Sequence, residues 1–176
     1  MRSRPKLKTY TALESSQLEF EQVLKTYGDS LWRFTLMYEQ EYNRRKDLYQ
    51  EILVAIWKAL PNFEQKSSIK TYVFRIAHNR GITFRNRSAR SDIFSTLNFE
   101  PGSENIGPQE LLIKEEEQDN LKKAVLELSP SLRQVVLLIL EGLSNKEISD
   151  VLGISENNVA VRLLRAKEIL SGILES

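Results

Sequence analysis

The sequence predicts an all-α protein with two small helical domains joined by a flexible acidic linker. Over most of the chain, apolar residues recur three and four positions apart, as they do on one face of an amphipathic helix. No run alternates apolar and polar residues as a half-buried strand would, and the Asn-Gly and Asp-Gly pairs typical of hairpin turns do not occur. The helical period stops between residues 86 and 110, which contain two prolines and two glycines. We therefore assign residues 1–88 to the first domain, residues 89–110 to the linker and residues 111–176 to the second domain.

Three amphipathic helices are predicted in the first domain. Pro61 and Asn62 end the second of them, because proline cannot continue a helix. The apolar stripe of the first helix consists of Phe20, Val23, Leu24, Tyr27, Leu31 and Phe34. The second stripe consists of Leu48, Ile52, Leu53, Ile56, Trp57 and Leu60, and the third of Ile69, Tyr72, Val73, Ile76 and Ala77.

The second domain carries the signals of a helix-turn-helix. Ser144 and Glu147 have the S-x-x-E spacing of a capping box, which starts a short helix. Gly153 permits the left-handed backbone of a tight turn, and Ser155 is placed to cap the helix that follows. Val159 then faces inward, toward the first helix of the pair. The helix before this motif is delimited by its N-cap, first-turn and C-cap residues, Ser129, Pro130 and Gly142.

The outward face of the last helix is suited to DNA. Asparagine can pair bidentately with adenine, and arginine can pair with guanine or with phosphate. The N-terminus of a helix also attracts phosphate. The candidate contacts are Ser155, Asn157, Asn158, Val161, Arg162 and Arg165. An ordinary helical corner with a solvated polar face fits the same pattern.

The composition excludes several classes of function. The chain has 176 residues and no cysteine, which excludes disulfides and thiolate metal sites. The basic N-terminus lacks the apolar core of a secretory signal, and no apolar stretch approaches the ~20 residues of a membrane-spanning helix. No nucleotide-binding loop, metal-ligand spacing or nucleophile–base pair is visible, so we predict no cofactor, no enzymatic activity and no membrane contact.

The charge is uneven along the chain. Residues 1–90 contain 17 Lys and Arg against 9 Asp and Glu, a net charge of +8. Residues 91–128 contain 3 against 9, a net charge of −6, and residues 129–176 contain 5 against 6. A basic first half favours a polyanionic partner, whereas an acidic segment avoids or imitates one. Two solvated surfaces that differ by chance are the simpler alternative.

Two segments together resemble the extracytoplasmic-function (ECF) group of bacterial RNA polymerase sigma factors. The stretch "DLYQEILVAIWKALPNFEQKSSIKTYVFRIAHNRGITFRNR" is similar to conserved region 2 of that family. The stretch "LSPSLRQVVLLILEGLSNKEISDVLGISENNVAVRLLRAKEIL" is similar to region 4. They occur in the family's order and are separated by a linker. The resemblance implies a region 2 helical bundle and a region 4 helix-turn-helix, working in the bacterial cytoplasm.

The resemblance implies a surface for core RNA polymerase on the second helix. The family's D-x-x-Q-E motif, which docks on a coiled coil of the polymerase, corresponds here to Asp47, Gln50 and Glu51. Asp47 and Glu51 are four positions apart and so share one helix face, away from the apolar stripe. A solvated acidic edge is the alternative.

The resemblance also implies that region 2 reads the −10 promoter element as a single strand, with one base extruded into a pocket beside a loop. The cost of extrusion, a few kcal/mol, must be offset by stacking, polar contacts and a cationic groove. We expect Phe74 rather than Tyr72 to be the stacking ring, because Tyr72 belongs to the apolar stripe. The only histidine, His78, is expected on the helix surface near DNA. The full set of −10 candidates is Glu64, Gln65, Lys66, Ser67, Ser68, Lys70, Thr71, Phe74, Arg75, His78, Asn79, Arg80, Arg85 and Arg87, with Arg90 extending the basic track.

Region 4 of the family reads the −35 element as duplex in the major groove. Its recognition helix commonly begins Thr-Val-Lys-Ser-Arg, whereas this chain has Asn158-Val159-Ala160-Val161-Arg162. The substitutions remove one donor and add a methyl contact suited to thymine, so promoter preference does not carry over.

The remaining expectations concern the linker and the partners. The acidic linker, with Asp92, Glu100 and Glu104, resembles the family's connector near the RNA exit path. Many such factors are held by an anti-sigma factor, which we expect here as a further partner. The main alternative is a stand-alone helix-turn-helix regulator that binds duplex DNA without polymerase, and an all-helical adaptor that binds only protein is a third interpretation.

Overall fold

The computed structural model describes residues 6–95 and 124–174, with the side chains of residues 17–89 and 124–173. The elements in these ranges are helices, which confirms the all-α prediction. They are α1 (Lys6–Thr35), α2 (Tyr42–Ala59), a 3₁₀ turn (Leu60–Asn62), α3 (Ile69–Ser95), α4 (Pro130–Leu140), α5 (Asn145–Leu152) and α6 (Glu156–Leu174). The chain separates into two compact units that divide between Ile82 and Thr83. Among the helices described, none is long and apolar enough to cross a membrane.

The first unit is built on the packing of α1 against α2. The predicted end of α2 is confirmed, because the chain tightens into the 3₁₀ turn at Pro61 and becomes extended at Phe63. Trp57 does not widen the apolar face of α2, because its side chain is 48% exposed. Instead, the other tryptophan, Trp32, joins the helices by edge-to-face contacts with two tyrosines of α2, Tyr42 and Tyr49. The fully buried side chains of this unit include Leu31, Phe34, Leu48, Ile52, Ile56, Val73 and Phe74.

A cation also lies within this aromatic cluster. The guanidinium of Arg45 lies 3.9 Å from the centre of the Trp32 ring, and burial lowers the pKa of Arg45. The hydroxyl of Tyr49 donates to the carbonyl of Gly28 on α1 at 3.1 Å, and burial raises the pKa of Tyr49. These contacts fix α1 against the first half of α2.

The second unit packs α6 against both α4 and α5. Leu132, Val136 and Ala166 belong to its apolar core, together with Val125 and Leu128 from the segment before α4. Arg133 on α4 ties that segment down: its guanidinium donates to the carbonyl oxygens of Val125 (3.2 Å), Leu126 and Leu128 (2.9 Å). The guanidinium is buried, which lowers its pKa. Arginine still remains protonated in proteins, so the three carbonyls face a permanent cation.

Only the first residues of the predicted linker are among the described residues. Helix α3 continues to Ser95 and so includes residues 89–95, which the sequence assigned to the linker. Residues 96–123, with Glu100 and Glu104, lie outside the described residues, as do the side chains of Arg90 and Asp92. The domain boundaries at residues 88 and 111 therefore stay predictions.

Candidate nucleic-acid interface

Helix α3 turns a different face to the core than its sequence predicted. The expected stripe centred on Tyr72, Val73 and Ile76, but Tyr72 and Ile76 are only half-buried. The buried positions are Thr71, Val73, Phe74, Ala77, His78, Gly81 and Phe84. The stripe is thus displaced by one residue, which at 3.6 residues per turn is a rotation of about 100°.

Because of this rotation, three residues predicted to contact DNA are buried instead of exposed. Phe74 is fully buried and meets Phe34 edge to face, with ring centres 5.1 Å apart, so its ring packs in the core instead of facing solvent. His78 is 6% exposed and lies against Tyr38 rather than on the helix surface. Thr71 is 1% exposed, and its hydroxyl lies 2.8 Å from that of Ser68.

The rotation brings the ring of Tyr72 partly to the surface. There it packs against Phe63, which the sequence did not predict as a site residue. Phe63 and Tyr72 lie side by side with ring centres 4.8 Å apart and planes tilted by 38°. The Tyr72 hydroxyl donates to the carbonyl of Ala59 at 3.1 Å, which fixes the ring. The guanidinium of Arg75 lies 5.9 Å from the Tyr72 ring. The only sequence signal for Phe63 was an aromatic residue directly after the helix stop at Pro61-Asn62.

The loop that precedes α3 is held in shape from both ends. Ser68 begins the helix: its hydroxyl accepts the backbone N–H of Thr71 at 3.1 Å. Gln65 has a φ of 56°, in the left-handed region that residues other than glycine seldom adopt. Lys66 and Glu64 form an ion pair in water at the loop tip. A hollow of about 900 Å³ opens beside the loop, between Phe63, Gln65 and α1. The loop therefore adjoins a space large enough for a nucleobase.

The remaining predicted −10 side chains differ in how far they reach solvent. Lys70 and Ser67 are half-buried. The others are exposed, which leaves them accessible to a strand: Arg75, Asn79, Arg80, Arg85 and Arg87. Arg87 is held over the ring of Phe84, with its guanidinium 5.2 Å from the ring centre.

The predicted polymerase-docking residues lie together on α2. Asp47 and Gln50 are exposed and Glu51 is half-buried. All three line one groove of about 530 Å³, together with Val54, Ala55, Lys58 and Arg80. The groove brings Arg80, predicted for DNA, beside the acidic residues predicted for the polymerase.

The helix-turn-helix forms as its sequence predicted. Ser144 and Glu147 make the reciprocal capping box of α5, and Gly153 ends that helix with a φ of 67°. The Ser155 hydroxyl accepts the backbone N–H of Asn158 at 3.2 Å and so caps α6. Val159 is fully buried. The predicted −35 contacts are accessible: Ser155, Asn157, Asn158, Val161 and Arg165 are exposed, and Arg162 is half-buried.

Comparison with known proteins defines the class. The fold and the capped turn are those of an all-α helix-turn-helix protein. Residues 23–91 match the family model for sigma-70 region 2, and residues 118–170 match the one for sigma-70 region 4. The two matches together cover more than half of the chain, which therefore belongs to the sigma-70 family.

Its relatives identify the group within that family. The ECF RNA polymerase sigma factor SigX of Bacillus subtilis is 25% identical over 89% of this chain and 84% of its own length. The ECF RNA polymerase sigma-E factor of Escherichia coli is 29% identical over 70% of each chain. The sigma factor RpoE of Bartonella quintana, solved in complex with the anti-sigma factor NepR, is 23% identical, with a TM-score of 0.72 over 89% of this chain and 97% of its own. The chain is thus a sigma factor of the ECF type, and the region 2 match favours this function over that of a stand-alone regulator.

Proposed function

We propose that this sigma factor docks on core RNA polymerase through the groove on α2 and opens promoter DNA with the loop before α3. The observation that carries the proposal is the gathering of Asp47, Gln50 and Glu51 along one accessible groove. Two carboxylates on one face of a rigid helix suit a basic helical partner. The protein would act by binding and melting rather than as an enzyme, in the cytoplasm, where core polymerase works.

For the −10 element, the aromatic pair of Phe63 and Tyr72 replaces Phe74 as the stacking platform. Stacking one base on an aromatic side chain is worth about 1–3 kcal/mol, and extruding a base costs a few kcal/mol. One such stack, with hydrogen bonds in the hollow beside Gln65, is of the size needed to offset the extrusion. Arg75 and Asn79 would bind the displaced strand, since both are exposed on α3. The arginines further along the helix, Arg85 and Arg87, would bind the phosphates of the adjoining duplex.

For the −35 element, α6 would enter the major groove by its N-terminal half. Asn157, Asn158 and Arg162 would face base edges, Val161 would contact thymine methyl groups, and Arg165 would bind phosphate or guanine. Val161 is 41% exposed, so its methyl groups are accessible to a thymine methyl. An anti-sigma factor is a further proposed partner, by likeness to the Bartonella protein solved with NepR.

The test is capture of core RNA polymerase by the purified chain, with Asp47→Ala/Glu51→Ala as the comparison. We expect stoichiometric capture by the native chain and its loss in the double variant. Opening of a promoter is measured in parallel with Asn79→Ala, which should open DNA poorly while still binding core polymerase. Absence of capture by the native chain, with salt-sensitive binding to duplex DNA alone, would contradict the proposal.

A further inference from the structure

The groove on α2 contains positive as well as negative charge. Asp47, Glu51, Val54 and Lys58 follow one another at spacings of four, three and four, so they form one stripe along the helix. The stripe runs about 16 Å at 1.5 Å per residue, acidic at its N-terminal end, apolar in the middle and basic at its C-terminal end. Val54 is 50% exposed, although it lies between charged residues.

Arg80 adds a second cation to this groove from another helix. It is exposed and lines the groove with Asp47, Glu51 and Lys58, although it follows them by 22 to 33 residues in the sequence. If Arg80 only neutralised Asp47 and Glu51, it would contribute little to stability, since an exposed ion pair is worth only about 0–1 kcal/mol. An arginine beside an exposed valine in a groove is, however, well suited to recognise a carboxylate, because its planar fork binds both carboxylate oxygens.

The mixture of charges restricts what can fill the groove. A helix that carried only basic residues would be attracted by Asp47 and Glu51 but repelled by Lys58 and Arg80. A helix with a basic segment, an apolar side chain and then an acidic side chain complements all of these positions. Such a pattern also selects one direction of the partner helix, because the reversed helix would place like charges together.

We infer that Arg80 is a polymerase-docking residue, which pairs with a carboxylate on the core polymerase helix that fills the α2 groove. The inference rests on the proposed function of that groove and moves Arg80 from the DNA-binding set to the polymerase-binding set. Together with Lys58 it sets the direction in which the polymerase helix lies. Its neighbour in sequence, Asn79, stays a DNA-binding residue.

The experiment measures two affinities for each of four full-length proteins, at a temperature where their circular dichroism spectra coincide. The affinities are those for core RNA polymerase and for a single-stranded oligonucleotide carrying the promoter's −10 sequence. The proteins are the native chain, Arg80→Ala, Arg80→Glu and Arg75→Ala. The last is the matched comparison, an exposed arginine of the same helix that faces Tyr72 instead of the groove.

We expect Arg80→Ala to weaken core binding about tenfold and Arg80→Glu to weaken it further, as is typical when one member of a close interfacial charge pair is lost. Both should keep the native affinity for the oligonucleotide, whereas Arg75→Ala should weaken that affinity. Native core affinity in Arg80→Ala, with core binding still abolished by Asp47→Ala/Glu51→Ala, overturns the inference and leaves the proposed function standing. Loss of oligonucleotide binding alone in Arg80→Ala also overturns it, in favour of a DNA contact. Failure of the native chain to bind core polymerase overturns the proposed function itself.

Discussion

The hydroxyl of Tyr38 lies 2.5 Å from Nδ1 of His78, and both side chains are buried. The contact joins the turn after α1 to the middle of α3 in the first unit. We expect His78→Ala to leave a cavity and to deprive the buried hydroxyl of this partner, lowering the free energy of unfolding by about 2–4 kcal/mol. Urea denaturation followed by tryptophan fluorescence measures this, since Trp32 and Trp57 both lie in that unit. Lys25→Ala, an exposed change in the same unit, is the control, and equal stability of the two variants would contradict the burial of His78.

Gly81 lies where the Tyr38 ring crosses α3. A Cβ atom at this position would overlap the ring, and the ring is held in place by His78. We therefore expect Gly81→Ala to destabilise the first unit by about 1–3 kcal/mol, the usual cost of overpacking. Its matched control is Gly172→Ala on α6, where nothing lies within 4 Å of an added Cβ. There the better helix propensity of alanine should stabilise the helix by up to about 1 kcal/mol. The melting temperature should therefore rise. Melting curves by circular dichroism distinguish the two, and a stabilising Gly81→Ala would show that Tyr38 does not occupy this space.

Arg133 holds the segment before α4 by donating to three of its carbonyl groups. Arg133→Ala should remove these bonds and leave buried carbonyls without this donor, at a cost of about 2–4 kcal/mol to the second unit. The measurement is urea denaturation followed by far-ultraviolet circular dichroism. Lys146→Ala, which removes an exposed cation from α5, should change the midpoint little. If both variants unfold alike, the guanidinium does not hold the segment.

Glu41 caps α2 with its side chain instead of the usual Asp, Asn, Ser or Thr. The backbone N–H groups of Arg44 and Asn43 donate to its carboxylate at 2.7 and 2.8 Å and hold the pKa of Glu41 below its ordinary value of 4.5. A carboxylate whose pKa falls on folding stabilises the protein above its unfolded pKa, and this contribution is lost as the pH drops through the folded pKa. We therefore expect Glu41→Gln to lower the melting temperature at pH 7 and the difference to shrink below pH 4.5. A difference that persists unchanged in acid would mean that the charge of Glu41 has no part in the cap.

Arg165 lies on the outward face of α6, whereas Lys167 on the same helix lines an apolar hollow shared with α4. We expect Arg165→Ala to weaken recruitment to a promoter with a −35 element by about tenfold, in the range of one lost side-chain contact. Lys167→Ala removes the same charge from the other side of the helix and should leave recruitment unchanged. Footprinting of the upstream region measures the effect. Unaltered protection in Arg165→Ala would remove this residue from the interface.

What the sequence predicted well was local. The capping box at Ser144, the glycine turn at Gly153 and the stop at Pro61 each depend on residues a few positions apart, so their chemistry is visible in the chain itself. The helix-turn-helix and its exposed face followed from these signals. The acidic face of α2 followed instead from the spacing of Asp47 and Glu51 and from the family's D-x-x-Q-E motif.

The features that the sequence did not predict depend on packing between helices that are distant in the chain. The rotation of α3 follows from the fit of Phe74 and His78 against Phe34 and Tyr38, which are some forty residues away. The sequence stripe was ambiguous because apolar and aromatic residues occur on more than half of the helix circumference from residue 69 to 78. The role of Arg133 was equally hidden, since an arginine in an amphipathic helix is usually solvated.

On the last helix, α6, the residues that pack in the core differ from those that face solvent. Val159 and Ala166 hold α6 in the second unit, while Asn157, Asn158 and Val161 face outward. Under the proposed function, changes in the outward residues would alter DNA sequence preference with little effect on the stability of the unit. A few substitutions on this face would then exchange the set of target genes without refolding the domain, and Ala160 and Val161, which differ from the common family pattern, are both exposed on this helix.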